Sequence, residues 1–356
     1  MGISSVKIVG SGLIGTSIGL ALAQKNVKVL MVDSSDSAAS MAQSLVDPDT
    51  HFTADHVFDV VVMAVPPSAF KDVLAIEKEI NTSSTFVDIL SIKIKPQHEV
   101  DTFDGLPQRF VGTHPMAGRE VSGAKSARGD LFTGRSWIIS PSQQTSSASE
   151  KIALELIELC GGVAVKMSAE EHDQAMALVS HAPQILASLM AAALNGAKPE
   201  WLNLIGQGFK DMTRIADSDS NLWQEILSEN STNITQVLSQ VRKELERIES
   251  HLSDPDSAKE IIENGNKGRS VIPGKHGGAA RKYIYLHIVI DDRAGQLAAI
   301  FNDCAKADIN IEDVSIEHTP GQNTGLVTLS VLEAKKAEHL EQYLITSGWK
   351  VHSTSK

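Results

Sequence analysis

Val6-Lys7-Ile8-Val9-Gly10-Ser11-Gly12-Leu13-Ile14-Gly15 decides the fold. A short apolar strand runs into a glycine-rich turn, and the turn opens an amphipathic stretch from Leu13 to Lys25. The spacing Gly-x-Gly-x-x-Gly is a weak signal alone and a strong one in this strand–turn–helix setting. Gly10 permits the tight turn, Gly12 lets the main chain approach a pyrophosphate, and Gly15 lets helix and strand pack closely. The helix start at Leu13 and Ile14 then turns its N–H groups toward the phosphates. Asp33 closes the next apolar run, about twenty residues on, where a carboxylate accepts both ribose hydroxyls. It would repel a 2′-phosphate, and Ser34-Ser35-Asp36 offers no arginine to receive one, so NAD is expected over NADP. Ala64-Val65-Pro66-Pro67 ends a further apolar run, and Val65 and Pro66 are expected to wall the adenosine half of the pocket.

From that stretch onward, apolar runs alternate with amphipathic segments. The runs are Val6–Val9, Val27–Val32, Val57–Ala64, Thr85–Asp88, Phe110–Thr113, Trp137–Ile139 and Gly162–Val165. Buried parallel strands joined by helices give this pattern, because both faces of the sheet are covered. Residues 1–166 therefore read as a doubly wound, Rossmann-type α/β domain. In 167–262 the strand signal disappears, and Leu, Ile, Ala and Met recur at helical spacing, as in Ala175–Leu194 and Ile234–Leu252. An all-helical domain with more apolar surface than one helix pair can bury points to a homodimer. Residues 263–282 hold Gly265, Gly268, Gly274, Gly277 and Gly278 among Lys and Arg, the composition of a basic, glycine-rich linker. Residues 283–356 then show a strand–helix–strand–strand–helix–strand order, the ferredoxin-like arrangement.

The whole chain has 356 residues, enough for two or three domains, and a net charge of −12. That charge disfavours nucleic acid or an anionic membrane as a partner. No apolar run in the sequence approaches the roughly 20 residues of a membrane span. The strand pattern starts so early that no signal peptide is expected. Cys160 and Cys304 stand far apart and in no metal spacing, which suits a reducing cytoplasm. His172 and His181 lack the i, i+4 spacing of a helical metal pair, and no metal is expected.

Three polar segments carry the chemistry: Asp88-Ile89-Leu90-Ser91-Ile92-Lys93, then Gly112-Thr113-His114-Pro115-Met116-Ala117-Gly118-Arg119-Glu120, then Ser180-His181-Ala182-Pro183-Gln184. A fourth, Gly208-Phe209-Lys210-Asp211-Met212-Thr213-Arg214-Ile215-Ala216, places one arginine in a helical region ahead of Trp223. A guanidinium fork matches a carboxylate bidentately and stays charged at any working pH. With the glycine loop, and in this order, the segments resemble the prephenate/arogenate dehydrogenase family of tyrosine biosynthesis, from about Val6 to about Glu246.

The resemblance implies NAD-dependent oxidative decarboxylation of prephenate, a cyclohexadienol with a ring carboxylate and a pyruvyl side chain. Hydride leaves the hydroxyl-bearing carbon, CO2 leaves the ring, and 4-hydroxyphenylpyruvate and NADH result. It makes His114 the base for the hydroxyl proton and has Ser91 orient both. It places His181 on the substrate, Arg214 on the ring carboxylate, Trp223 over the ring and Glu120 at the pocket edge. The family usually has a small residue before the serine, where this chain has Leu90. Arogenate is the alternative substrate, with Asp211 and Asp217 as candidates for its ammonium group. A 3-hydroxyacid dehydrogenase with Lys210 as catalytic lysine, or an idle amino-acid sensor, would suit the same architecture less well.

Asp291-Asp292-Arg293-Ala294-Gly295-Gln296-Leu297, with Asn310-Ile311, resembles an ACT domain. That resemblance implies an amino-acid effector, tyrosine as a feedback inhibitor, held at Asp292, Arg293, Ala294, Gly295 and Asn310. Arg293-Ala294 stands in place of the more usual proline-bearing turn.

Overall fold

The computed structural model describes residues 2–53, 56–117, 123–272, 283–318 and 324–354. The chain divides into two compact units, Met1–Lys243 and Glu244–Lys356.

The first unit is built on a seven-stranded sheet of order β2-β1-β3-β4-β5-β6-β7. Its strands are β1 Ser5–Val9, β2 Lys28–Val32, β3 Val60–Met63, β4 Thr85–Asp88, β5 Phe110–Pro115, β6 Ser136–Ser140 and β7 Val163–Lys166. Helices α1 Leu13–Ala23, α2 Asp36–Val46, α3 Pro67–Ile80, α4 Ile94–Val100 and α5 Ser147–Leu159 connect them. Successive residues of a strand face opposite sides of the sheet, so each apolar run feeds two cores. Val6, Ile8, Val60, Val62, Val87 and Val111 join α1 and α5 on one face. Val9, Val61, Met63, Phe86 and Phe110 join Phe70 and Leu74 of α3 on the other.

The expected all-parallel sheet needs one correction. β6 runs antiparallel to β5, with Pro115 opposite Trp137. The chain leaves the end of β5 and enters β6 at that same end, where the Met116 N–H donates to the Ser136 carbonyl at 2.9 Å. No helix crosses back over the sheet between these strands among the described residues, and a parallel neighbour needs such a crossover. β7 again runs parallel to β6. It is also not buried as its apolar sequence suggests, since Val163 is 54% exposed at the sheet edge.

Beyond β7 the first unit is helical: α6 Ala169–Met176, α7 Ala182–Ala192, α8 Pro199–Leu202, α9 Gln207–Thr213, α10 Ser220–Glu229 and most of α11 Ser231–His251. α6 starts in a capping box, in which Ser168 and Glu171 satisfy each other's main-chain N–H groups. A π turn, Ala177–His181, joins α6 to α7 without a break. The resulting helix Ala169–Ala192 is long and apolar enough to cross a membrane by composition, at a mean hydropathy of 1.4. The sequence shows helical spacing over Ala175–Leu194 but no unbroken apolar run, because polar residues interrupt it. Four of those polar side chains, His172, Asp173, His181 and Gln184, are buried within the unit.

The second unit holds the end of α11, α12 Pro255–Ser270 and a four-stranded antiparallel sheet of order β11-β8-β10-β9. The sheet comprises β8 Ile284–Asp291, β9 Asp313–His318, β10 Thr324–Val331 and β11 Lys350–Thr354. With α13 Gln296–Lys306 and α14 Ala334–Thr346 it has the βαββαβ order read from the sequence. Leu286, Ile288, Ile300, Leu329, Leu340 and Leu344 fill its core.

The expected linker is helical as far as Ser270. Asp254 caps α12, Pro255 sits at its first position, and Lys267 and Arg269 lie in its last turn. These gains offset the roughly 1 kcal/mol that each interior glycine costs a helix. Residues 273–282 lie outside the described residues.

Candidate active site

The strand order turns back at β1, which has β2 on one side and β3 on the other. That switch point at the carboxyl ends of the strands is where open α/β sheets bind ligands. The glycines fit the role closely. Gly10 has φ +113°, and a Cβ there would sit 2.1 Å from the Ala64 carbonyl oxygen. A Cβ on Gly15 would meet the Gly10 carbonyl oxygen at 2.2 Å, whereas Gly12 faces open space. No side chain caps α1, which leaves the first N–H groups at Leu13 and Ile14 for an anion. Ser11 Oγ is buried in the same loop without a hydrogen-bond partner.

Asp33 Oδ2 accepts from the Ser11 N–H at 2.7 Å and Oδ1 from the Ser35 N–H at 3.0 Å. The carboxylate therefore stands against the glycine loop, half-exposed, with lone pairs to spare. Val65 packs on the second core and Pro66 precedes α3 at the surface. These residues fit a dinucleotide. Asp33→Ser should narrow the preference for NAD over NADP, read as the ratio of kcat/KM on the two cofactors. Equal use of both by the unaltered protein would show that Asp33 does not face the ribose.

The polar segments meet at the ends of β4 and β5. Asp88 closes β4, and its buried carboxylate pairs with Lys93 Nζ while accepting from the Thr113 N–H at 2.8 Å. Burial works against both charges, raising the Asp88 carboxyl and lowering the Lys93 ammonium, and each opposes the other's shift. Gly112 leaves room for the pair, since a Cβ there would lie 3.3 Å from the Lys93 side chain. Leu90 does not disturb this loop. Its side chain joins the second core, and its N–H donates to Asp88 Oδ2 at 3.3 Å.

His114, at the end of β5, is partly exposed. Its Nδ1 lies 2.9 Å from His172 Nε2, and His172 Nδ1 lies 2.7 Å from Asp173 Oδ1. The Asp173 carboxylate also accepts from the Lys93 N–H at 2.8 Å and the Ile94 N–H at 3.0 Å, which ties α6 to the start of α4. Asn230 Nδ2 donates to the Asp173 carbonyl oxygen at 2.7 Å and lies 3.1 Å from His181 Nδ1. Trp223 meets the His181 ring edge-on at 5.9 Å and packs against the second core.

Burial holds His114 well below its ordinary value of 6.5, and His172, Lys93 and His181 add to the shift. Burial also lowers His172, against the pull of Asp173, and brings His181 down to about 4. All three rings are neutral at pH 7.

Such a site pairs a dinucleotide fold with a neutral imidazole, and proteins similar to this chain match it along nearly its whole length. The chain is 32% identical over 359 residues to the "Probable prephenate dehydrogenase NovF" of Streptomyces niveus, covering 97% of this chain and 99% of that protein. The chain belongs to the prephenate dehydrogenase family. Residues 18–166 match that family's nucleotide-binding domain and residues 168–263 its dimerization domain. The prephenate dehydrogenase of Bacillus subtilis is 27% identical, over 95% of each chain. The crystal structure of the A. aeolicus prephenate dehydrogenase, in complex with hydroxyphenyl propionate and NAD+, superposes with a TM-score of 0.68 at 28% identity. It covers 76% of this chain and 98% of its own.

Within this prephenate dehydrogenase framework, His114, His181 and Trp223 come together, linked by His172 and Asn230. Ser91 lies half-buried on the β4–α4 loop, and no hydrogen bond joins it to His114 among the described residues. Arg214 opens an exposed 3-10 turn, Arg214–Ala216, that packs against α7. Glu120 lies outside the described residues. The sequence raised His172 only as a metal ligand and did not single out Asp173 or Asn230. The capping box Ser168-x-x-Glu171 was the available signal, because it puts His172 and Asp173 on the opening turns of a helix. In the second unit, Gly295 has φ +89° and starts α13, with Asp292 and Ala294 exposed on the same turn. Arg293 pairs with Asp291 at 2.7 Å, and Asn310 donates to Glu312 at 2.7 Å.

Proposed function

We propose that the chain oxidatively decarboxylates prephenate with NAD, using His114 as general base. The observation that carries this reading is a neutral, partly exposed imidazole at the end of β5, in the sheet whose β1–α1 loop fits a dinucleotide. The loop Gly10–Gly15 and Asp33 would hold NAD, which supplies the hydride acceptor when bound. His114 Nε2 takes the hydroxyl proton as the C–O bond gains carbonyl character. Arg214 binds the ring carboxylate until it leaves as CO2, and His181 and Trp223 bound the ring. Ser91 contacts the hydroxyl and Glu120 lies at the pocket rim. Prephenate is favoured over arogenate because relatives that match nearly the whole chain are named prephenate dehydrogenases. NADH absorbance with each substrate tests the assignment, and turnover of arogenate alone would reverse it.

The helical part presents Leu178, Val179 and Leu189, each about 60% exposed, on the segment that matches the dimerization domain. This supports a homodimer, which a two-chain mass in light scattering would verify.

The βαββαβ unit supports an ACT-like effector domain that takes tyrosine at the β8–α13 turn, Asp292 to Gly295, and at Asn310. Inhibition requires that tyrosine bind one state of the enzyme more tightly, by typically 1–3 kcal/mol. Asn310→Ala should weaken tyrosine inhibition and leave kcat/KM without tyrosine unchanged. Inhibition that is undiminished and competitive with prephenate would move the effect to the active site.

A further inference from the structure

The hydrogen bonds around the two site histidines fix where their protons lie. Asp173 already accepts two main-chain N–H groups, and an ionised carboxylate has no hydrogen to give. His172 therefore donates to it through Nδ1, and a neutral ring is then bare at Nε2. The bare nitrogen stands 2.9 Å from His114 Nδ1, so His114 carries its hydrogen on Nδ1 and is unprotonated at Nε2. Free imidazole side chains in water favour the opposite tautomer, so His114 is held in its less favoured form.

The arrangement at His181 is reversed. Asn230 Nδ2 faces the Asp173 main-chain carbonyl, which can only accept, and Asn230 Oδ1 accepts from Asn233 at 2.8 Å. The amide orientation is thereby set, and its second N–H points at His181 Nδ1. His181 accepts there and keeps its hydrogen on Nε2.

We propose that Asp173, acting through His172, and Asn230 are positioning residues that impose opposite tautomers on His114 and His181. The site then presents one bare ring nitrogen, which takes the substrate's hydroxyl proton, and one N–H donor for a substrate oxygen. In the proton transfer the substrate O–H bond breaks and an N–H bond forms at His114 Nε2. The new imidazolium still donates Nδ1–H to His172, and its charge is supported by the Asp173 carboxylate. Holding an imidazole in one tautomer and supporting its imidazolium is the role an aspartate plays in hydrolase triads. The second duty of Asp173, on the N–H groups of Lys93 and Ile94, anchors the chain of rings to main chain. The inference rests on the reading of His114 as the base.

The test begins with the native enzyme labelled with 15N-histidine. Two-bond proton–nitrogen correlation spectra distinguish the tautomers, and loss of each signal set in His114→Asn, His172→Gln and His181→Asn assigns them. Expected are Nδ1–H patterns for His114 and His172 and an Nε2–H pattern for His181. In the kinetic arm, Asp173→Asn should lower kcat by about 10²–10⁴-fold with NAD affinity unchanged. It should also move the acid limb of kcat/KM to lower pH, because the imidazolium loses its support while Lys93, His181 and Asp88 remain nearby. His172→Gln should do the same. An Nε2–H pattern on His114 in the native enzyme, or a loss of rate equal at all pH with the limb in place, overturns the proposal. If Asp173→Asn does not fold, the native spectra decide alone. Turnover that survives His114→Asn removes the base itself, and with it the reading on which the proposal rests.

Discussion

His114→Asn is expected to lower kcat/KM by about 10²–10⁴-fold, the usual loss when a general base is removed. Asparagine keeps a polar group of similar reach but cannot hold a proton at the pH of catalysis. The native enzyme needs His114 neutral, so its kcat/KM falls as pH drops through the ring's folded value. That value lies well below 6.5, because burial and the neighbouring His172, Lys93 and His181 all disfavour the charged form. Activity should therefore stay level through pH 6.5 and decline only in more acidic solution. The Asn variant should lose this limb together with most of its rate. A variant with near-normal turnover, or a native limb at or above pH 6.5, would take His114 out of the base's role.

Arg214→Ala is expected to raise the KM for prephenate and leave NAD affinity nearly unchanged. Losing one member of a hydrogen-bonded charge pair that the substrate covers costs about 2–5 kcal/mol, or roughly thirty- to several-thousand-fold. Arg214→Lys keeps the charge and gives up the planar fork, so it should restore only part of the loss. An unchanged KM in the alanine variant would place the carboxylate elsewhere.

Much of the first unit was legible because its signals are local. The glycine loop shows its constraint in the chain itself: Gly10 at φ +113° and Gly15 against a carbonyl oxygen admit no side chain. Apolar runs marked the strands for the same reason, since both faces of β1 and β3 are buried. The direction of β6 was not legible, because an apolar run carries no sense of orientation and only its connection to β5 sets it. The exposure of β7 depends likewise on its place at the sheet edge. His114 and His181 stood out by their motifs. Their partners did not, because His172 reaches His114 only through the packing of α6 against α4 and β6, and Asn230, at the end of α10, meets His181 only through the packing of the helical part. Leu90 looked like a disturbance in the sequence, yet the loop accepts it as a core side chain.

The π turn Ala177–His181 has a consequence for helical phase. An α-helix advances about 100° per residue, so an unbroken α-helix would set His172 and His181 roughly 180° apart. One wider turn absorbs a residue and brings that separation to about 80°. Both rings can then face the same side of a single continuous helix. Such a turn is what a one-residue insertion leaves behind when the helix closes around it. Deleting one residue between Ala177 and Ser180 would restore regular winding and still leave His172 and His181 about 80° apart, with the outward row of Leu189 kept in phase.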